Sequence, residues 1–262
     1  MGENMKIAVA SWSLHREFQE KRISLLDFPK IVKEKFSIEA IELNSPFFAS
    51  LEENYLKDLR SRIDDLGMRL VNIAIDGQNI SQKDEAKRTA DLEDVKRWFH
   101  IAKLVGSPCV RVNTGSGEEG EDEEEVIKRC IVGYKELATI GEREGIKVLL
   151  ENHGGLSANP DNVVRIMEEV GSPYLRTCPD TGNFATEIRY EALKKIAPYM
   201  FVAHLKTYEF DEKGLETTVD VKRCINIFKE AGFDGYFDIE FEGAGDQYEG
   251  VKKTINLLRR YI

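Results

Sequence analysis

The stretch Lys147-Val148-Leu149-Leu150-Glu151-Asn152-His153-Gly154-Gly155 is a short apolar run that ends on a carboxylate, an amide and an imidazole, followed at once by two glycines. A run of this kind reads as a buried parallel strand whose C-terminal tip leaves the core. The chain on either side repeats the plan. Strands are expected at residues 6–14, 38–48, 69–77, 108–115, 147–151, 175–180, 201–207 and 236–241. Helical spacing is expected between them, at residues 25–36, 53–66, 85–105, 160–170, 190–196, 220–231 and 248–261, with one more helix leading up to Gly145. Gly67, Gly106, Gly145 and Gly171 sit where helices should close, and Asn159-Pro160 where one should open. Strict alternation implies parallel strands, and eight such units predict an α/β fold, a (β/α)8 TIM barrel. An open doubly wound sheet would want a glycine-rich loop after the first strand, and Ala10-Ser11-Trp12-Ser13-Leu14 has none. No linker-like tract divides the chain, so residues 1–262 are read as one domain.

Composition narrows the functions. The net charge is −10 over 262 residues, with no cluster of Lys and Arg. A nucleic-acid surface is not expected. The four cysteines, Cys109, Cys130, Cys178 and Cys224, form no CxxC pair and read as reduced thiols of a cytoplasmic protein. Met1-Gly2-Glu3-Asn4-Met5 leads directly into the first strand without a signal-peptide pattern. No apolar run reaches the roughly 18 residues that span a bilayer, so no membrane partner is expected. The acidic run Glu118–Glu125 reads as a solvated loop feeding a helix N-terminus.

In a barrel, the site is built at the C-terminal ends of the strands. The last four strands close on Glu151, Asp180, His204 and Glu240. Each follows or lies within an apolar run, where an unpaired charge would cost several kcal/mol. Any one alone could be a helix cap or an ion-pair partner, and His204 alone a hydrogen-bonded core histidine. Three acids and one imidazole on four consecutive strands would repel one another without a cation among them. The set suits Mn²⁺, Co²⁺ or Mg²⁺, with Zn²⁺ as a further candidate. The first half of the barrel offers His15 with Trp12 beside it, Asn44, Asp76, Arg111 and Asn113. Alternation sends Arg111 and Asn113 to one side. These are candidate substrate contacts, with loop hydrogen bonding as the alternative. His100, mid-helix beside Trp98 and Phe99, reads as structural.

Taken in order, Leu150-Glu151-Asn152-His153-Gly154-Gly155, Pro179-Asp180-Thr181-Gly182-Asn183, Val202-Ala203-His204-Leu205-Lys206 and Asp238-Ile239-Glu240-Phe241 resemble the sugar phosphate isomerase/epimerase superfamily of xylose isomerase-like barrels. That superfamily includes tagatose and psicose 3-epimerases, hydroxypyruvate isomerase, inosose dehydratase and the endonuclease IV branch. The resemblance implies that Glu151, Asp180, His204 and Glu240 bind one divalent metal. It also implies that Glu151 and Glu240 form the acid/base pair, passing a proton through a cis-enediolate. Isomerisation, epimerisation and dehydration all fit one such site.

The chain departs from the ketohexose epimerases at three places. Asn183 stands where they have a histidine, Thr207-Tyr208-Glu209-Phe210 where they have an arginine, and Leu156-Ser157 where they have a second glutamate. Lys206, His153 and Asn183 are the candidate replacements for gripping substrate. Lys206 would neutralise an oxyanion or form an ion pair with Glu240. His153 would donate to substrate or orient Glu151, and Asn183 would touch substrate or cap the next helix. The expected activity is a metal-dependent sugar isomerase or epimerase in carbohydrate metabolism, with a small carbohydrate as partner. A homo-oligomer paired through the helices is a candidate assembly. The alternatives are a lyase of the same superfamily (an inosose-type dehydratase or a subunit cleaving keto-glycosides), an abasic-site endonuclease, and a non-catalytic sugar-binding barrel. Only four histidines and an acidic net charge weigh against the nuclease.

Overall fold

A computed structural model describes residues 5–262. Residues 1–4, read above as a lead into the first strand, lie outside the described residues. The strands are β1 (Lys6–Ala10), β2 (Ala40–Asn44), β3 (Arg69–Ile75), β4 (Cys109–Val112), β5 (Lys147–Glu151), β6 (Leu175–Cys178), β7 (Val202–Thr207) and β8 (Tyr236–Phe241). All pair in parallel in the ring order β6-β5-β4-β3-β2-β1-β8-β7. The ring closes between β7 and β6 through single bridges, Thr177 with Met200 and Asp180 with His204. Pro179 has no N–H to extend a ladder there, yet its carbonyl accepts from His204 N at 2.9 Å. The fold is the expected single TIM barrel.

The helices are α1 (His15–Gln19), α2 (Phe28–Phe36), α3 (Glu53–Asp65), α4 (Glu85–Val105), α5 (Glu123–Glu144), α6 (Pro160–Val170), α7 (Arg189–Ile196), α8 (Val221–Glu230) and α9 (Gln247–Leu258). Asp84, Asp122, Asn159, Asp220 and Asp246 accept backbone N–H bonds at the starts of α4, α5, α6, α8 and α9. The acidic run thus supplies a cap at Asp122, and Glu121 and Glu124 pair with Arg129 and Arg165. His100 lies exposed on α4. All four cysteines are buried free thiols. No helix among the described residues is long and apolar enough to cross a membrane.

Several strands are shorter than their apolar runs suggest. The chain leaves β1 after Ala10 and turns through a 3₁₀ segment, Ser11–Leu14. It leaves β2 after Asn44 through Ser45–Phe47. Ser11 Oγ donates to Asn44 Oδ1 at 2.7 Å and Asn44 N donates to Ser11 Oγ at 2.9 Å. Side chains therefore satisfy backbone groups where the ladder stops. Inside the barrel the two-residue period sorts the residues by height. Leu149, Cys178 and Val202 form an apolar floor with Cys109. Two residues further along the same strands stand Glu151, Asp180 and His204, and two beyond His204 is Lys206.

Candidate functional site

Glu151, Asp180, His204 and Glu240 converge at the C-terminal mouth, with one potential ligand atom from each lying within 4.8 Å of the others. All four are buried. Asn152 fixes the first two. Its side chain accepts from Asp180 N at 2.7 Å and donates to Asp180 O at 3.0 Å, clamping the tip of β5 to the residue that follows β6. The glycines after Glu151 fold the chain back over the barrel. A Cβ on Gly155 would lie 2.3 Å from the Gly115 carbonyl oxygen, at a φ of 53°.

Three cations offset the buried acids. Arg111 Nε lies 3.0 Å from Glu151 Oε2, and its Nη1 lies 2.6 Å from Asp76 Oδ1. Lys206 Nζ lies 3.2 Å from Asp180 Oδ2, 3.1 Å from Glu240 Oε2 and 3.2 Å from Glu242 Oε1. His204 Nδ1 lies 3.0 Å from Glu151 Oε1 and 3.5 Å from Glu240 Oε1. These charges set the two glutamates apart. Burial would raise Glu151, but His204 and Arg111 outweigh it and hold the carboxyl well below its usual range. Burial raises Glu240 to about 7 against the opposing pull of Lys206 and His204. Burial likewise opposes charge on His204 and Lys206, yet the surrounding acids keep both raised.

The donor set fits a divalent cation. Glu151 Oε2 and Asp180 Oδ2 are buried oxygens that accept no hydrogen bond despite the nearby cations. A single side-chain ammonium, Lys206, already bridges two of the four acids and histidine, as a small cation would. Three carboxylates and one imidazole match Mn²⁺, Mg²⁺, Co²⁺ or Zn²⁺. Such an ion competes with protons on Glu240 and His204, both raised. Adding Mn²⁺ is therefore expected to raise the melting temperature more at pH 8 than at pH 6. Equal or larger stabilisation at pH 6 in a thermal melt would overturn this.

Beside the cluster opens a cavity of about 270 Å³, lined by Trp12, Asp76, Arg111, Asn113, His153 and Lys206 among others. Trp12 forms one wall, its Nε1 donating to Glu242 Oε1 at 2.7 Å. His153 is exposed at the rim, hydrogen-bonded through its backbone to Ser157 Oγ and through no side-chain bond to Glu151. Arg111 and Asn113 do point to one side, but both are engaged with Asp76. Asn183 does not cap a helix. It donates to Glu151 Oε1 at 3.2 Å and accepts from Lys206 Nζ at 3.2 Å, while Asp180 Oδ1 accepts the Gly182 and Asn183 N–H groups. His15 is absent from the cavity. Its ring stacks on Trp12 at 5.4 Å, and Nδ1 faces Trp12 O at 2.9 Å. A larger cavity, about 670 Å³, opens at the opposite mouth around Lys6, Arg69 and Arg176 and holds no comparable cluster.

Residues 34–261 match the model of the xylose isomerase-like TIM barrel family. The chain belongs to that family. Among curated relatives, the alpha subunit of a C-glycoside deglycosidase from Arthrobacter globiformis is 36% identical over 74 residues, which is 26% of this chain and 21% of that protein. The 3'-dehydrocarminate deglycosidase alpha subunit of a Microbacterium species is 22% identical over 200 residues, 73% of this chain and 54% of that protein. The chain thus spans about half the length of these curated relatives or less. Among solved structures, a D-tagatose 3-epimerase-like protein superposes with a TM-score of 0.81 at 21% identity, covering 98% of this chain and 97% of that one. The IOLI protein with a bound zinc atom gives 0.76 at 20% identity, covering 98% and 99%. A xylose isomerase-like barrel protein from Mycobacterium smegmatis in complex with magnesium gives 0.73 at 18% identity, covering 97% and 95%.

Two buried acids of this xylose isomerase-like barrel are given no role by the reading from strand ends, although Glu42 lies near the end of the second apolar run. Glu42 on β2 and Asp238 on β8 are fully buried one step below the mouth. Glu42 Oε1 and both Asp238 oxygens have no hydrogen-bond donor. Burial, then the charge of Glu42, raises the Asp238 carboxyl well above the carboxylate range. Their signal was the two-residue step, from Asn44 back to Glu42 and from Glu240 back to Asp238. Glu242, which holds both Trp12 and Lys206, lies one step above Glu240 by the same rule.

Proposed function

We propose that the chain is a divalent-metal-dependent isomerase or epimerase of a sugar or sugar-like keto/hydroxy compound, working by proton transfer between Glu151 and Glu240. The observation that carries this reading is the pair of glutamates. They stand on β5 and β8 around one centre, and in the metal-free protein the surrounding charges set them apart, Glu151 held below the usual carboxylate range and Glu240 raised to about 7. Glu151, Asp180, His204 and Glu240 would hold the ion, which when bound supplies Lewis-acid polarisation of a substrate carbonyl. Glu240 removes the proton from the carbon beside that carbonyl. Lys206, 3.1 Å from Glu240, sets a positive charge near the developing oxyanion. Glu151 would face the other side of that carbon; held ionised, it would first take a proton from solvent or a substrate hydroxyl and then deliver it to that face for epimerisation, while Glu240 gives up the one it removed. The cavity is somewhat smaller than the ~300–1,000 Å³ of drug-sized sites, so it suits one small polyol. Trp12 offers the ring an apolar wall.

In deuterium oxide, the Mn²⁺-loaded protein is expected to exchange a C–H next to the carbonyl in at least one of a panel of ketoses, aldoses and inososes. No exchange across the panel would sink the reading.

The two deglycosidase relatives favour a second reading, a lyase. In a glycoside oxidised at C3, the C2 hydrogen is acidic. Glu240 would take that proton, the C1–aglycone bond would break with its electron pair leaving on the aglycone, and the aglycone would be protonated. Free aglycone and an unsaturated keto-sugar, in place of an isomer, are the products that distinguish it.

A further inference from the structure

His204 is gripped at both ring nitrogens. Nδ1 faces Glu151 Oε1 at 3.0 Å, toward the four-residue cluster. Nε2 faces away from it, 2.9 Å from Glu42 Oε2. Glu42 is fully buried in the barrel interior, where a carboxylate costs several kcal/mol and an apolar side chain would pack. The side chains that stand against it are polar: Asn72, His204 and Asp238.

The local structure is built to keep that carboxylate in place. The β2–β3 register shifts between Ile41 and Glu42, so that Glu42 pairs with Asn72 rather than Val71. Asn72 Nδ2 then donates to the same Glu42 Oε2 at 2.8 Å. One oxygen thus receives both the amide and the imidazole.

We propose that Glu42 is the positioning residue for His204, holding the proton on Nε2 and turning the Nδ1 lone pair to the metal centre. The proposal rests on the metal-site reading above. A carboxylate only accepts hydrogen bonds, so in the metal-free protein both ring nitrogens carry hydrogen, Nε2 toward Glu42 and Nδ1 toward Glu151, and only Nδ1 lies on the side of the four-residue cluster. Nδ1 is then the nitrogen that exchanges a proton for a metal ion. A carboxylate behind a ligating histidine fixes its tautomer and ring angle, and losing it weakens metal binding by about 10- to 100-fold. In this proposal the ion sits among Glu151, Asp180, His204 and Glu240, and Glu42 acts through His204 although it also lies within ligand distance of His204 and Asp238.

The test compares Co²⁺ binding by the full chain with that of Glu42→Gln and Glu42→Leu, using calorimetry and proton NMR. His204 is the single imidazole of the cluster, so Co²⁺-loaded wild type should show one hyperfine-shifted, exchangeable imidazole N–H protected by Glu42. Glu42→Leu should bind Co²⁺ about 10- to 100-fold more weakly and lose that protected signal. Glu42→Gln, which keeps an acceptor and the side-chain shape, should retain the signal and fall between the two in affinity. Melting of the metal-free proteins confirms that they fold, and Glu42→Gln carries the test if Glu42→Leu does not. If the wild type binds Co²⁺ and the folded variants match it within twofold with the N–H signal unchanged, the proposal is overturned alone. If the wild type binds no Co²⁺, the metal reading falls and this proposal with it.

Discussion

Glu240→Gln is expected to lower turnover and solvent exchange by about 10²- to 10⁴-fold, the range that a positioned general acid–base group supplies. The amide keeps the size of the side chain and one oxygen toward Lys206. It cannot carry a proton. The reason to single out Glu240 is its raised pKa of about 7, which burial produces against two nearby cations. Glu151 differs because Arg111 and His204 hold it ionised. For a substrate whose proton faces Glu240, Glu151→Gln should therefore retain partial exchange with deuterium oxide while failing to form the epimer. The measurements are solvent-exchange NMR and product analysis at equal metal loading. Full turnover in Glu240→Gln would remove it from the acid/base role.

Arg111→Met is expected to destabilise the metal-free protein by about 3–5 kcal/mol, the usual cost of breaking a buried ion pair by removing one partner. Arg111 is buried and holds two acids, Glu151 at 3.0 Å and Asp76 at 2.6 Å. Methionine fills much of the space and leaves Glu151 without its guanidinium. The pH dependence has a definite sign. Glu151's folded pKa lies below its unfolded value of 4.5, so the pairing contributes stability above 4.5 and loses it as pH falls toward the folded value. The gap between wild type and variant should narrow on acidification past that point. Chemical denaturation at pH 7 and at pH 4 measures both, and a gap below about 1 kcal/mol at pH 7 would contradict the role.

The alternation of apolar runs with helical spacing was enough to read the barrel, because parallel strands buried on both faces carry a dense apolar signal. Glu151, Asp180, His204 and Glu240 were legible because each breaks or ends such a run, and the structure brings all four together. The strand ends were less legible. Ser11 and Asn44 replace ladder bonds with side-chain bonds, a pairing between residues 33 positions apart that no local pattern shows. Glu42 and Asp238 were hidden for another reason. They sit inside their runs rather than at the tips, and their inward direction follows only once the pairing register is known. For His15, proximity in sequence to β1 says nothing of the turn that points it at Trp12 and Gln247.

The two-residue step along each strand also divides how the protein can change over evolutionary time. The acids, His204 and Lys206 ride on the strands or directly at their ends, locked by ladder register and by Asn152. Trp12, His153 and Glu242 ride on the loops and short turns above. Insertions or replacements in those loops can reshape the rim while the buried acids, His204 and Lys206 below keep their places. Such a barrel can diversify its substrates by editing its edge, and a lineage that moved from isomerising free sugars to releasing aglycones would need no new floor.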